Sequence, residues 1–201
     1  MQTLVIATHN RKKAGEMIQI LQERFPALVL KTLADYPGSP EPEETGSTYA
    51  ENATIKAESA AAFTGEWSLA DDAGLEIDAL DGAPGLHSKR FEGVESTFEH
   101  KIARILDLLK EVREGRRGAR FRCCVSLAKP GQTTKIWVAV CEGHIAREPS
   151  GNGGFGYDPI FYLPKLGCTM ADLTPEQKHA ISHRGKGLRM FGNDLEKIIA
   201  P

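Results

Sequence analysis

Two β-like runs, Arg120 to Ala128 and Lys135 to Cys141, flank the segment Lys129-Pro130-Gly131-Gln132. Pro and Gly in so short a connection predict a hairpin, and a hairpin makes at least part of any sheet antiparallel. The N-terminus adds a unit of another kind. Leu4 to Ala7 reads as a buried strand, and Ala14 to Arg24 places Met17, Ile18 and Leu21 at helical spacing, so the chain opens strand, loop, helix. The two patterns together predict a mixed α/β fold.

The remaining segments fit that class. Leu28-Val29-Leu30 reads as the next strand, and Thr48 with Glu51 forms a capping-box pattern at the head of an Ala-rich helix running to about Phe63. Trp67 to Ala70 and Leu75 to Leu80 read as strands on either side of Asp71-Asp72-Ala73-Gly74, and Gly82-Ala83-Pro84-Gly85 is a turn by composition. Ile102, Ile105, Leu106, Leu109 and Val112 make one apolar helix stripe that ends at the Gly- and Arg-rich stretch Gly115 to Gly118. A glycine loop spans Gly151 to Gly156, Thr174 with Gln177 caps a further helix, and Leu188 to Ile199 forms the last one. No internal repeat or composition break calls for a linker, so residues 1–201 are expected to form a single domain.

Composition narrows the partners. Lys and Arg number 25 against 27 Asp and Glu, a net charge of −2, which provides no global field for nucleic acid or an anionic membrane. Any anion site is therefore local. No apolar run approaches the ~20 residues of a membrane span, and Cys123, Cys124, Cys141 and Cys168 lack the spacing of a zinc site or a disulfide scaffold. Reduced, buried thiols in a cytoplasmic protein are the expectation.

Four segments carry chemistry. Thr8-His9-Asn10-Arg11-Lys12-Lys13 lies between a strand and a helix, where unpaired backbone N–H groups favour an anion. Its three successive cations oppose the helix macrodipole, which a docked phosphate would explain; the alternative is that Thr8 or Asn10 caps the helix while the cations point into water. The acidic residues Glu41, Glu43, Glu44, Asp71 and Asp72 suit a hard ion such as Mg²⁺, which takes one or two carboxylates together with phosphate oxygens. Adjacent aspartates on a strand point to opposite faces, so one addresses a ligand while the other caps or orients, unless Asp-Asp-Ala-Gly is an ordinary turn. In Gly151-Asn152-Gly153-Gly154-Phe155-Gly156-Tyr157-Asp158-Pro159, glycines let the backbone approach a ligand and Phe155 can stack on a base, or else the loop is a bulge with Phe155 in the core. Lys178-His179-Ala180-Ile181-Ser182-His183-Arg184 supplies donors for a purine carbonyl or a phosphate, or is a solvated basic face. Phosphate, metal, stacking and carbonyl-donor elements in one small chain are what a nucleoside triphosphate requires.

Taken together these segments closely resemble the inosine triphosphate pyrophosphatase family, the Ham1- or RdgB-like non-standard purine nucleotide pyrophosphatases. The motifs stand in the family's order over nearly the whole chain: Thr8-x-Asn10-x-x-Lys13, Glu43-Glu44-Thr45-Gly46, Glu51-Asn52-Ala53-x-x-Lys56-Ala57, Ala70-Asp71-Asp72-x-Gly74-Leu75, Gly82 to Gly85, Gly153 to Pro159 and Ser182-His183-Arg184. The resemblance implies an elongated mixed β-sheet flanked by helices, in two lobes with the active site in the cleft between them, a homodimer, and Mg²⁺-dependent hydrolysis of ITP, dITP and XTP. It also implies roles. Thr8, His9, Asn10, Arg11, Lys12 and Lys13 with Lys56 would hold the triphosphate, Asp72 would be general base and metal partner, and Glu43 or Glu44 would help hold the metal. Phe155 would stack on the base, with Ala73, Gly156, Tyr157, Asp158, Lys178, His183 and Arg184 around the substrate and donors of the last two aimed at the 6-oxo group. A site built to donate to that oxygen leaves a donor facing the amine of adenine, at roughly 1–3 kcal/mol. Two departures stand out: His9 replaces a usual Gly, and Ala73 replaces the Ser common after the paired aspartates. A Maf-like enzyme for modified pyrimidines, which a substrate panel separates, and a non-catalytic nucleotide-binding module, which would bind tightly without forming product under Mg²⁺, are the competing readings.

Overall fold

The computed structural model describes residues 3–199. Its strands are β1 (Thr3–Ile6), β2 (Val29–Thr32), β3 (Trp67–Ile77), β4 (Gly118–Ala128), β5 (Lys135–Ile145), β6 (Phe161–Leu163) and β7 (Cys168–Thr169). The helices are α1 (Arg11–Arg24), α2 (Tyr49–Thr64), α3 (Phe98–Leu108), α4 (Pro175–Ile181) and α5 (His183–Ile199). The strands form one sheet in the order β2-β1-β3-β4-β5-β6-β7. It is mixed, as expected: β1 pairs in parallel with β2 and β3, aligning Leu4 with Leu30 and with Trp67, whereas β6 runs antiparallel to β5 and β7. The expected hairpin joins neighbouring strands β4 and β5 through residues 129–134, too few for a parallel crossover.

The chain packs as two compact units. One comprises the described residues up to Asp72, with Cys123–Ala139 and the segment from His183 onward; the other comprises Ala73–Arg122 and Val140–Ser182. Small residues dominate the first core, where Ala57, Ala60 and Ala61 of α2 meet Val5, Ala7, Ala70 and Ala128 of the sheet side. The second core is larger-grained, with Leu75, Ile77, Ile102, Ile105, Leu109, Phe121 and Phe161. Within that unit the fully buried Arg117 donates to the carbonyls of Leu109, Ile145 and Ala146, which satisfies its guanidinium without a carboxylate. Among the described residues no helix is long and apolar enough to cross a membrane.

Three local expectations need correction. The strands expected around Asp71-Asp72-Ala73-Gly74 are one continuous strand, β3, which ends at Ile77 before a 3₁₀ turn over Asp78–Leu80. The first helix begins at Arg11, so the basic triplet is its first turn. The last helix begins at His183 and not Leu188. Gly185 and Gly187 hide that start because glycine is a poor helix former. Gly187 is there for packing: a Cβ would lie 2.9 Å from Val125 Cγ2 of β4 and 3.7 Å from Ala139 Cβ of β5. Gly187→Val is therefore expected to lower Tm by roughly 2–12 °C, the equivalent of ~1–3 kcal/mol of overpacking in a chain of this size, measured by calorimetry. An unchanged Tm would contradict the close approach. Of the thiols, Cys123, Cys124 and Cys141 are buried and free, while Cys168 is free but only half-buried.

Candidate active site

In the first unit the site is built from the loop before α1, the acidic segment before α2, the middle of β3 and the start of α5. Asn10 caps α1, its Oδ1 accepting from Lys12 N at 3.0 Å and Lys13 N at 3.1 Å, while Thr8 Oγ1 accepts from Asn10 N at 3.2 Å. Three of the backbone N–H groups expected to cradle an anion, those of Asn10, Lys12 and Lys13, are thus engaged by Thr8 and Asn10. What the loop offers instead is side-chain charge: Arg11 and Lys12 are exposed and Lys13 half-buried. His9, also exposed, places Nε2 3.4 Å from Pro40 O, linking the loop to the acidic segment.

Asp71 and Asp72 sit in mid-strand and face opposite ways, as strand alternation requires. Asp71 is wholly buried and its Oδ2 accepts from Arg184 Nε and Nη2 at 3.1 and 2.9 Å. Its Oδ1 has no hydrogen-bond partner among the described residues and lies 3.5 Å from Lys13 Nζ. Arg184 extends the network to Glu16 Oε2 at 2.6 Å. Burial alone would raise the Asp71 carboxyl, but Arg184, Lys13 and Lys56 outweigh it and hold it far below the usual carboxylate range. The Arg184 guanidinium is pushed the opposite way: burial would lower it, and Asp71 and Glu16 raise it. Burial also disfavours the Lys13 ammonium, with Lys56 and Arg184 adding to that against the pull of Asp71.

Asp72 meets a different set. Its Oδ1 is 2.9 Å from Lys56 Nζ, which is also 2.9 Å from Glu44 Oε1. Asn52, four residues before Lys56 and so on the same face of α2, donates from Nδ2 to Asp72 Oδ2 at 3.4 Å and accepts from Gly46 N at 2.8 Å. Burial raises the Asp72 pKa and Glu44 adds to it, more than Lys56 and Lys13 draw it down. For Lys56 burial is likewise the largest effect and lowers it, but Asp72, Asp71 and Glu44 together raise it above the ordinary lysine value. Two adjacent carboxylates are therefore driven apart, Asp71 locked ionised and Asp72 made more basic. Such a divergence marks an assignment of roles. Two carboxylates converging on one ammonium are also a donor set that fits a hard divalent ion. Of the two candidate glutamates, Glu44 is in this cluster and Glu43 is exposed.

The second unit carries the glycine loop. Asp158, buried, accepts through Oδ2 from Phe155 N at 2.8 Å and from Lys178 Nζ at 2.7 Å, and the Lys178 ammonium stands 4.6 Å from the centroid of the half-buried Phe155 ring. Gly154, at φ +67°, allows this closure, since a Cβ there would collide with Asp158 Oδ2. Lys178 comes from α4, whose Thr174–Gln177 capping box forms as expected. The Tyr157 side chain is committed elsewhere: its hydroxyl donates to Ser88 O at 2.9 Å and its ring packs edge-on to Phe98. Ala73 and Gly156 are half-buried, and His183 is buried in the first turn of α5.

The structure thus gathers Lys13, Glu44, Lys56, Asp72 and Arg184 in the first unit and Phe155, Asp158 and Lys178 in the second. Sequence reasoning gave Asn52 and Glu16 no role, and gave Asp71 none beyond a place among the acidic residues and the paired aspartates. A signal for Asn52 was present, an amide one helical turn before Lys56 in an Ala-rich helix; none was present for Glu16.

A family model described as the Ham1 family matches residues 4–193. A dITP/XTP pyrophosphatase of Geobacillus kaustophilus is 45% identical over 199 residues, covering 99% of this chain and 97% of that protein. One of Desulforamulus reducens is 47% identical over 195 residues, covering 97% and 96% respectively. Among solved structures, a HAM1 protein from Coxiella burnetii superposes with a TM-score of 0.88 at 42% identity, covering 98% of this chain and all of that one (100%). The Staphylococcus aureus Ham1 protein gives 0.87 at 39% identity, covering 98% and 99%.

Proposed function

The chain belongs to the Ham1 family, and on that premise we propose that it hydrolyses non-standard purine nucleoside triphosphates, dITP, XTP and ITP, to the nucleoside monophosphate and pyrophosphate. The observation that carries this reading is the paired aspartate in β3, with one carboxylate locked ionised by Arg184 and its neighbour made basic beside Lys56 and Glu44. Removal of such triphosphates keeps them out of DNA and RNA.

In the reaction, Asp72 accepts a proton from water as that water attacks the α-phosphorus in line with the departing pyrophosphate. Arg11, Lys12, Lys13 and Lys56 offset the triphosphate charge, and Asn52 keeps Asp72 aimed. Glu44 and Asp72 would hold Mg²⁺, which when bound neutralises charge on the phosphate oxygens. Phe155 stacks on the base and Asp158 holds Lys178 in place over its ring. Assembly as a homodimer and a cytoplasmic location belong to the same proposal.

Isotope labelling tests the site of attack. Turnover of dITP in ¹⁸O-water is expected to place the label in the monophosphate; label in pyrophosphate would mean attack on the β-phosphorus and would overturn the assignment. A second expectation concerns pH. The base must be ionised, so kcat/KM rises with pH through the pKa of Asp72 in the free enzyme and then levels off. Because burial raises that pKa, the acid limb should lie above the ordinary aspartate value of about 3.9 and vanish in Asp72→Asn. A limb at or below that value would remove Asp72 from the role. Phe155→Ala should raise KM for dITP about 5- to 150-fold, the equivalent of ~1–3 kcal/mol of stacking, with a smaller change in kcat. Unchanged KM would place the base elsewhere.

A further inference from the structure

The bridging position of Lys56 has a consequence for metal binding, one that rests on reading Glu44 and Asp72 as the metal pair. We propose that Lys56 is a built-in counter-cation for that pair, neutralising it until the phosphates of a nucleotide draw the ammonium away. Divalent metal then binds tightly together with the nucleotide and only weakly without it.

The geometry supports this in three ways. Lys56 Nζ is 2.9 Å from both Glu44 Oε1 and Asp72 Oδ1, so it stands at the point on which the two carboxylates converge and where a hard cation shared by them would sit. An ammonium and a divalent ion cannot occupy that point together. The Lys56 side chain is only 15% exposed, so leaving the carboxylates without reaching another anion would strand a largely desolvated charge. A triphosphate provides that anion. Finally, Lys56 is not the only tie between the two segments. Asn52 hydrogen-bonds both Asp72 Oδ2 and Gly46 N, two residues beyond Glu44, so the backbone that carries Glu44 stays tied to Asp72 when the ammonium moves. Lys13 is the natural contrast: an equal charge nearby, its ion pair among the described residues is with Asp71 Oδ1, at 3.5 Å.

Calorimetric titration of Mn²⁺ alone into the nucleotide-free protein tests the proposal. If Lys56 holds the site nine-tenths of the time or more, Lys56→Met binds Mn²⁺ about tenfold or more tightly than wild type, since competition scales apparent affinity by the available fraction. Adding Glu44→Gln to Lys56→Met abolishes the gain, and Lys13→Met shifts affinity by less than about threefold, the effect of a screened neighbouring charge. Unchanged affinity in Lys56→Met overturns the proposal, as does an equal gain in Lys13→Met, which would reduce the effect to net charge. A gain that survives Glu44→Gln overturns the metal-pair reading and the proposal with it, whereas loss of that gain with a matching gain in Lys13→Met overturns the counter-cation role alone. Lys56→Gln keeps a polar group at the site should the methionine variant fold poorly. Its Tm is then expected to rise more on adding Mn²⁺ than that of wild type, and an equal rise overturns the proposal.

Discussion

Asp72→Asn lowers kcat for dITP by about 10²–10⁴-fold, the range for loss of a positioned general base, while the protein keeps its fold. The substitution preserves shape and a hydrogen-bonding group for Asn52, but removes the charge that accepts the proton and faces Lys56. Stability should scarcely change, because burial opposes the Asp72 charge more than the cations favour it. A folded-state pKa above the unfolded one means that ionised Asp72 subtracts stability at neutral pH, which offsets the partner that Lys56 loses. Tm is expected within about 4 °C of wild type, roughly 1 kcal/mol in a domain of this size. A variant that turns over at the wild-type rate would remove Asp72 from the mechanism.

The neighbouring substitution behaves in the opposite way. Asp71→Ala removes the carboxylate that receives two donors from Arg184, itself only 3% exposed, and that balances Lys13. Breaking a buried pair from one side costs about 3–5 kcal/mol, or roughly 6–20 °C in Tm for this chain length. Glu16 remains bound to Arg184 and limits the loss toward the lower end. The pH dependence follows from the depressed carboxyl. Its contribution is complete above the unfolded pKa of about 3.9 and is lost as pH falls toward the much lower folded value. The Tm gap between wild type and Asp71→Ala should therefore be level from pH 7 to about 5 and narrow only below about pH 4. A gap under about 2 °C at pH 7, where ~3 kcal/mol is expected, would show that the Arg184 network is not structural.

These two expected outcomes assign different work to adjacent, chemically identical residues, and only part of that difference was readable from the chain. Alternation along a strand implied that the two aspartates would face different partners, and they do: Asp71 meets Arg184 and Asp72 meets Lys56. It did not show that both lie inside a continuous strand: Asp-Asp-Ala-Gly has the composition of a turn, and the strand persists because Lys13, Lys56 and Arg184 arrive from three helices to compensate the charge. The hairpin and the Thr174 cap rest on short turns and short-range hydrogen bonds, which are local and so were foreseen. Arg184 was expected to face a purine, yet its donors are engaged by residues 113 and 168 positions away in sequence, and no local pattern encodes such a partner. At the first loop, the same capping chemistry that predicts a helix start engages the backbone N–H groups of Lys12 and Lys13, so the capping reading of Asn10 holds there.

Pyrophosphate release from dITP, XTP, ITP, GTP, ATP and TTP, with Mg²⁺ and with chelator, tests the central claim most directly. Strong, chelator-sensitive release from the first three and little from the others is the predicted result. Equal release from all six, or release from TTP alone, would contradict the assignment of this chain to non-standard purine triphosphates.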